Sequence, residues 1–274
     1  MRYAKGHGTG NDFIIVPDVD DRLALSPGLV RALCDRHTGL GADGVLRVVR
    51  HADGAAPWFM DYRNADGGVA EMCGNGVRVF ARYLTDTGLA AGPEIAIATR
   101  AGIRTVRDEG RGLFSVDMGP VTAGGSGHAV IGGRRCTGLA VSVGNPHLAC
   151  LVGEPLDSFD LSAPPRVDPA AFPDGVNVEI VRLTGERAVR MRVHERGSAE
   201  TLSCGTGAVA AAVAAAAAAG EWPDGGRKWT VDVPGGRLTV VPSPVASILT
   251  GPAVIVAHGE IDPSWLARAT IVAA

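Results

Sequence analysis

The chain has 274 residues, of which 46% are hydrophobic and 20% charged, with a formal net charge of −3 and a pI near 6.2. This is the composition of a folded globular protein and excludes a disordered one. The near-neutral charge, with no basic stretch, argues against nucleic acid or an anionic membrane as partner and leaves a small molecule as the expected one.

Residues 1–7 contain no apolar run of signal-peptide length, so the protein is expected in the cytoplasm. Short strands are predicted over residues 3–5 and 13–16, around the glycine-rich turn Gly6-His7-Gly8-Thr9-Gly10-Asn11. Residues 27–36 read as a helix with Ser26 as N-cap and Pro27 in the first turn. Leu29, Val30, Leu33 and Cys34 fall on one face of it, which assigns Cys34 to the core. Strands are predicted over 45–49 and 58–62, a helix over 77–84 with Val77, Phe80, Ala81 and Leu84 turned inward, and strands over 94–99, 102–107 and 113–118. Residues 119–133 are glycine-rich and aperiodic, and are read as a linker.

The second half repeats the order. Strands over 138–143 and 148–152 flank the turn Gly144-Asn145-Pro146-His147, and a proline-rich connection over 163–173 leads to strands over 176–182 and 188–194. The turn Glu195-Arg196-Gly197 and a wholly apolar helix over 208–219 follow, then short strands over 230–233, 237–241, 247–250 and 254–258. At 12 residues that helix falls short of the roughly 20 that span a bilayer. Most connections are too short for parallel crossovers, so the fold expected is α+β: two similar lobes, each a mostly antiparallel sheet around one helix. The lobes are placed at 1–118, with 262–274 as a candidate completion, and at 119–261.

Each half carries one unusual design, Met72-Cys73-Gly74-Asn75-Gly76 and Ser203-Cys204-Gly205-Thr206-Gly207, ahead of its helix. The first N–H groups of a helix have no internal partner and carry about half a positive charge. Glycines leave those groups open to a ligand, so such a turn binds an anion such as a carboxylate and lowers a thiol's pKa from about 8.5. A carboxylate held between two such turns has a sulfur on either side of its neighbouring carbon. One thiolate then removes the proton from one face while the opposite thiol donates to the other, which inverts a stereocentre. The two thiols titrate as a coupled pair, one protonated and one not. The five cysteines, Cys34, Cys73, Cys136, Cys150 and Cys204, are odd in number and lack disulfide-framework spacing. No C-x₂₋₄-C pair supports zinc, and only Lys5 and Lys228 are available for a pyridoxal Schiff base.

The runs His7-Gly8-Thr9-Gly10-Asn11-Asp12-Phe13, Tyr62-Arg63-Asn64-Ala65-Asp66-Gly67, Gly144-Asn145-Pro146-His147, Gly175-Val176-Asn177 and Glu195-Arg196-Gly197, with the two cysteine motifs, resemble the diaminopimelate epimerase family in order and extent. The resemblance implies that family's fold, with an active site in the cleft between the lobes, and interconversion of LL- and meso-diaminopimelate on the route to lysine and peptidoglycan. It implies no cofactor and no metal. Cys73 and Cys204 match the two catalytic bases, and Gly74, Asn75, Gly205 and Thr206 match the donors of backbone N–H groups to the reacting carboxylate. Asn11, Asn64, Asn145, Asn177, Glu195 and Arg196 match substrate-holding positions. Such a set suits the substrate, since Arg196 can clasp a carboxylate, Glu195 an ammonium, and the asparagines mix donors with acceptors. His147 is placed in the substrate-binding set, where it orients a thiol or its own turn. A homodimer is left open.

Two positions depart from the family pattern. Gly44 stands where some members carry Gln, and Ala199 stands where glycine is usual, which costs about 1 kcal/mol if that turn needs positive φ. The alternatives are an epimerase or racemase of another amino acid on the same scaffold, from which Arg196 discriminates, and a thiol redox switch joining Cys73 to Cys204. Nucleotide binding by the turn at residues 6–10 is disfavoured by the lack of a βαβ unit and an acidic ribose partner.

Overall fold

A computed structural model describes residues 1–52, 54–224 and 226–272. The chain divides into two compact units, Met1–Val116 with Pro252–Ala274, and Asp117–Gly251. In the first unit β1 (Arg2–Gly8) and β2 (Asn11–Pro17) form an antiparallel hairpin. Helix α1 (Pro27–Cys34) follows, capped by Ser26 Oγ, which accepts from Leu29 N at 3.2 Å. Next come β3 (Gly44–Arg50), parallel to β2, and β4 (Trp58–Asn64), antiparallel to β3. Helix α2 (Gly74–Asp86) precedes β5 (Glu94–Thr99), β6 (Gly102–Gly110) and β7 (Leu113–Asp117). Helix α2 contacts strands β1 to β6, so the sheet curves around it, and Val77, Val79, Phe80, Ala81 and Leu84 are buried there.

The second unit repeats this plan. Its strands are β8 (Thr122–Ile131), β9 (Arg134–Ser142), β10 (Pro146–Leu151), the short β11 (Arg166–Val167), β12 (Asn177–Gly185), β13 (Ala188–His194), β14 (Glu200–Thr201), β15 (Trp229–Val233), β16 (Gly236–Val241) and β17 (Ile248–Pro252). Pairing is antiparallel for β8–β9, β9–β10, β12–β13 and β15–β16, and parallel for β10–β12 and β13–β15. Helix α3 (Gly205–Ala218) contacts β9, β10, β12, β13, β15 and β16. Ala208 through Ala216, with Val209 and Val213, are buried on every side of it. Side chains this small let surrounding strands approach the helix on all sides, which an amphipathic helix does not permit. Among the described residues no helix is long and apolar enough to cross a membrane.

Three expectations are corrected. Residues 119–133 are not a linker: β8 occupies most of them and pairs with β9 from Thr122–Ser142 to Ile131–Arg134. Glycines hid this strand because they removed the apolar alternation by which a strand is read. Residues 254–258, given to the C-terminal lobe, belong to β18 (Val254–Glu260), which pairs antiparallel with β1 and so lies in the first unit. The second seam therefore falls after Gly251 rather than after residue 261. Helix α4 (Pro263–Val272), not recognised in the sequence, packs on α1 in the same unit. Residues 273 and 274 of the expected completion lie outside the described residues.

At Gly44 there is no space for a side chain. A Cβ there would lie 2.5 Å from the Arg63 carbonyl oxygen and 2.7 Å from the Tyr62 ring, both on the paired strand β4. Gly44→Gln should therefore push β3 from β4 and destabilise the protein by about 1–3 kcal/mol. The change should appear as a lower urea midpoint with unchanged slope, and an unmoved midpoint would contradict this packing.

Candidate active site

Helix α2 starts at Gly74, three residues before its apolar face, so the Cys-Gly-Asn-Gly turn is itself the first turn of the helix. Cys73 is the N-cap, in extended conformation, and its Sγ accepts from Gly76 N at 3.4 Å. This is the role ordinarily taken by a serine or aspartate oxygen. The Cys73 thiol donates to Asn11 Oδ1 at 3.6 Å, and the same oxygen accepts from Asn75 Nδ2 at 3.3 Å.

Asn11 is delivered by the two-residue turn between β1 and β2. Thr9 (φ 50°) and Gly10 (φ 84°) both take left-handed backbone there, as a tight hairpin requires. Asn11 Nδ2 donates to Asp43 Oδ2 at 2.7 Å. Arg36 bridges Asp12 (2.8 Å) and Asp43 (2.7 Å), and Lys5 pairs with Asp12 at 2.6 Å, so four charged groups hold the base of the turn. Asn64 ends β4 opposite Gly44, with its backbone carbonyl accepting from Gly67 N and its side chain exposed.

In the second unit Cys204 caps α3 in the same way: it is extended, and its Sγ accepts from Gly207 N at 3.4 Å. Its Sγ also lies 3.4 Å from Thr206 Oγ1, which accepts from Asn145 Nδ2 at 3.4 Å. Asn145 Oδ1 accepts from His147 Nε2 at 3.0 Å, and His147 Nδ1 meets Glu179 Oε1 at 2.7 Å, with His147 and Glu179 both fully buried. Only glycine fits at 207, because a Cβ there would lie 2.7 Å from Glu179 Oε1 and 3.4 Å from the Cys204 sulfur.

Asn177, 5% exposed, is a structural clasp. Its Oδ1 accepts from Arg196 N at 2.8 Å and its Nδ2 donates to Pro146 O at 3.2 Å, tying the Glu195-Arg196 turn to β10. The Arg196 side chain is exposed, with Nη1 donating to Asp174 O at 3.0 Å. Glu195 Oε1 accepts from Thr201 Oγ1 at 2.5 Å. Ala199 closes this turn by accepting from Glu195 N at 2.9 Å, and positive φ is taken by Gly197 instead, so the methyl of Ala199 carries no conformational cost.

Each unit thus gathers its own share of the predicted residues. Cys73, Asn11, Gly74 and Asn75 stand together in the first, and Cys204, Gly205, Thr206, Asn145 and His147 in the second. One expectation is corrected. The helix N-terminus was expected to lower both thiols, yet the Cys204 thiol is pushed well up, first by burial and then by the Glu195 and Glu179 carboxylates. The hydrogen bonds from Thr206 and Gly207 oppose this without overcoming it. Cys34, Cys136 and Cys150 are buried, and burial pushes Cys34 and Cys150 up to about 12, which leaves them inert. Among the described residues no group of three or more His, Cys, Asp or Glu is arranged to hold a metal ion.

The chain matches the family model described as diaminopimelate epimerase over residues 3–123 and 139–256. It is 54% identical to the diaminopimelate epimerase of Thermobifida fusca (strain YX), with 97% of this chain and 100% of the relative covered. The chain belongs to the diaminopimelate epimerase family. It is also 51% identical to the diaminopimelate epimerase of Mycolicibacterium smegmatis, covering 97% of this chain and 98% of that one. Among solved structures, a Bacillus anthracis phenazine biosynthesis protein superposes with TM-score 0.74 at 17% identity, covering 96% of this chain and 99% of that one. A probable proline racemase from Agrobacterium radiobacter K84 superposes with TM-score 0.71 at 14% identity, covering 97% and 95%. At such identities these two show a common fold for diaminopimelate epimerases and their structural neighbours.

Two residues beside the cysteines escaped the sequence reading. Arg78, fully buried in the second turn of α2, donates from Nη1 to Gly74 O at 3.0 Å and from Nη2 to Asn75 Oδ1 at 3.0 Å. Glu179 sits in β12 beneath α3. For Glu179 a signal existed: one carboxylate interrupts the apolar run Val176 to Val181, apart from Asn177. Arg78 left none, because in sequence it reads as an ordinary solvated helix position.

The Asp12 cluster yields a pH prediction. Burial works against ionisation of Asp12, but hydrogen bonds from Arg36 and Lys5 outweigh it and hold the carboxyl at about 2, below the ordinary 3.8. A carboxyl held down in the folded state contributes stability that is full above its unfolded pKa and is lost as pH falls through the folded one. That contribution, on the order of 2 kcal/mol, should fade between pH 4 and pH 2. Asp12→Asn should remove it at pH 7 and flatten this limb of the stability curve. A variant with wild-type denaturation midpoints from pH 2 to 6 would contradict the assignment.

Proposed function

We infer that the protein interconverts LL- and meso-diaminopimelate, an isomerase activity serving lysine and peptidoglycan precursor synthesis. The observation that carries this reading is the doubled arrangement of a cysteine capping a glycine-opened helix, in a chain more than half identical over nearly its full length to a diaminopimelate epimerase. A biosynthetic role of this kind supports a cytoplasmic location.

The proposed mechanism uses two bases. Cys73 and Cys204 approach the α-carbon from opposite sides; one sulfur takes the α-proton while the other delivers its own, and the centre inverts. The α-proton of an amino acid is only weakly acidic, so the negative charge that develops toward the α-carboxylate needs stabilisation. Backbone N–H groups at the starts of α2 and α3, opened by Gly74, Asn75, Gly205 and Thr206, supply it where pyridoxal phosphate does so in other enzymes. The distal end of the substrate has its own carboxylate and ammonium. Arg196, whose side chain is exposed, and Glu195 are suited to them, with Asn64, Asn145 and Asn177 shaping the rest. Asn11 orients the Cys73 thiol, and the chain His147-Asn145-Thr206 orients Cys204.

The protein without added pyridoxal phosphate should turn over LL-diaminopimelate. Cys73→Ser and Cys204→Ser should each lose about 10²-fold or more in kcat, the range removed with a positioned acid or base. Near wild-type turnover by either variant would refute the two-base mechanism, and activity confined to lysine or proline would refute the substrate.

A further inference from the structure

The two thiol sites are alike in backbone and opposite in surrounding charge. Each cysteine caps a helix and accepts one N–H bond at 3.4 Å, so the helix ends do not distinguish them. What differs is the charge buried beneath each cap.

Under α2 lies Arg78, with no solvent exposure. Its Nη atoms are engaged by Gly74 O and Asn75 Oδ1, both neutral, and Nε has no hydrogen-bond partner among the described residues. None of the described ion pairs includes it. Burial lowers the guanidinium to about 10, so it stays charged at neutral pH, and the Cys73 sulfur is the group whose negative charge works to hold the proton on it. A buried cation without a carboxylate is costly unless another anion compensates it. Asn75 joins them, bonding Arg78 through Oδ1 and, through Nδ2, the Asn11 oxygen that accepts the Cys73 proton while that sulfur is a thiol, so ionisation of Cys73 gives up this one bond and keeps the one from Gly76 N. The other charges near this cap are accounted for. Asp12 and Asp43 stand beyond Asn11 and are bound by Arg36, Asp12 also by Lys5; His7 accepts from Gly10 N; Glu71 is exposed.

Under α3 the charge is of the other sign. Glu179 Oε1 lies against Gly207, whose N–H caps onto Cys204, and Oε2 has no hydrogen-bond partner among the described residues. His147 does not reverse this. The ring bonds Glu179 Oε1 through Nδ1 and Asn145 Oδ1 through Nε2, and the Glu179 carboxylate still acts on the Cys204 thiol to push it up. The Glu195 carboxylate, held by Thr201 Oγ1, also pushes the Cys204 thiol up. Arg196 is turned onto Asp174 O, and His194 onto Leu161 O.

We propose that the cysteine pair is polarised at rest: the thiolate resides on Cys73, with Arg78 as its buried counter-charge, while Glu195 and Glu179 keep Cys204 a thiol. This rests on the two-base reading. The isomer presenting its α-hydrogen to Cys73 meets a base already ionised. The Cys73 thiolate takes that proton, the bonding electron pair stays on the α-carbon, and the Cys204 thiol protonates the opposite face. The charge has then moved to Cys204, and proton exchange of both sulfurs with water restores the resting state. Arg78 is a positioning residue that touches neither substrate nor the α-carbon.

The test is the pH dependence of alkylation by iodoacetamide, with Cys73 and Cys204 peptides quantified separately by mass spectrometry. Exposure sets the plateau rate of each cysteine, whereas the midpoint reads its ionisation. The Cys73 midpoint should lie below that of Cys204 by about one pH unit or more, a tenfold difference in ionisation. Arg78→Met should raise the Cys73 midpoint and leave that of Cys204 in place, Arg78→Lys should restore it, and Glu179→Gln should lower the Cys204 midpoint alone. Equal or reversed midpoints in the wild-type protein would overturn the proposal, as would a folded Arg78→Met protein with an unmoved Cys73 midpoint. If Arg78→Met does not fold, the wild-type order and Glu179→Gln decide. Labelling requires no turnover, so this outcome is separable from failure of the two-base mechanism, which the serine variants report.

Discussion

A helix cannot satisfy its first backbone N–H groups from within, and the proposed chemistry of this chain rests on how α2 and α3 meet that demand. Each gives the capping position to sulfur: Cys73 accepts from Gly76 N, Cys204 from Gly207 N. The cap uses one N–H, and glycines stand beside it at 74 and 76 in α2 and at 205 and 207 in α3. Both units spend their central helix in this way, and the surrounding strands fix where each helix begins. In the first unit the tight turn through Thr9 and Gly10 sets Asn11 against the Cys73 sulfur. In the second, β10 and β12 bring Asn145, His147 and Glu179 under the Cys204 cap.

The two caps share a backbone but not an environment, and magnitude decides the difference. A helix N-terminus contributes typically 0.3–1 kcal/mol in favour of a negative charge near its end, and up to about 2 in partly buried geometries. Burial of an ionised group opposes it by several kcal/mol. At Cys204 burial and two carboxylates therefore prevail over the N–H donors, and the thiol is pushed up. Cys73 is half-buried, and the buried charge in the second turn of its helix is the Arg78 guanidinium. Repetition of a motif supplied two sulfurs; the packing beneath each gave them different characters.

Much of this was legible in the sequence. Ser26 and Pro27 marked the start of α1, the apolar periodicity of residues 77–84 marked α2, and the two Cys-Gly-x-Gly turns marked where α2 and α3 begin, because each signal is local. Residues 119–133 were misread because glycine removes the alternation that reveals a strand. The placement of β18 in the first unit depends on pairing with β1 more than two hundred residues away, which no window of sequence contains. Arg78 and Glu179 illustrate the same limit within the site. Each belongs to a pattern that predicts its element correctly, and only the packing of that element reveals a charge without solvent.

The central claim, that two sulfurs act on opposite faces of one carbon, is tested most directly by following hydrogen at the α-carbon. LL-diaminopimelate is incubated in D₂O for a small fraction of one equilibration, and both isomers are then recovered. Because the accepting and donating groups are different thiols, the meso product should carry deuterium at the inverted centre while the remaining LL isomer stays protiated. Product retaining the substrate's own hydrogen would mean that a single group removes and returns it, and would contradict the account.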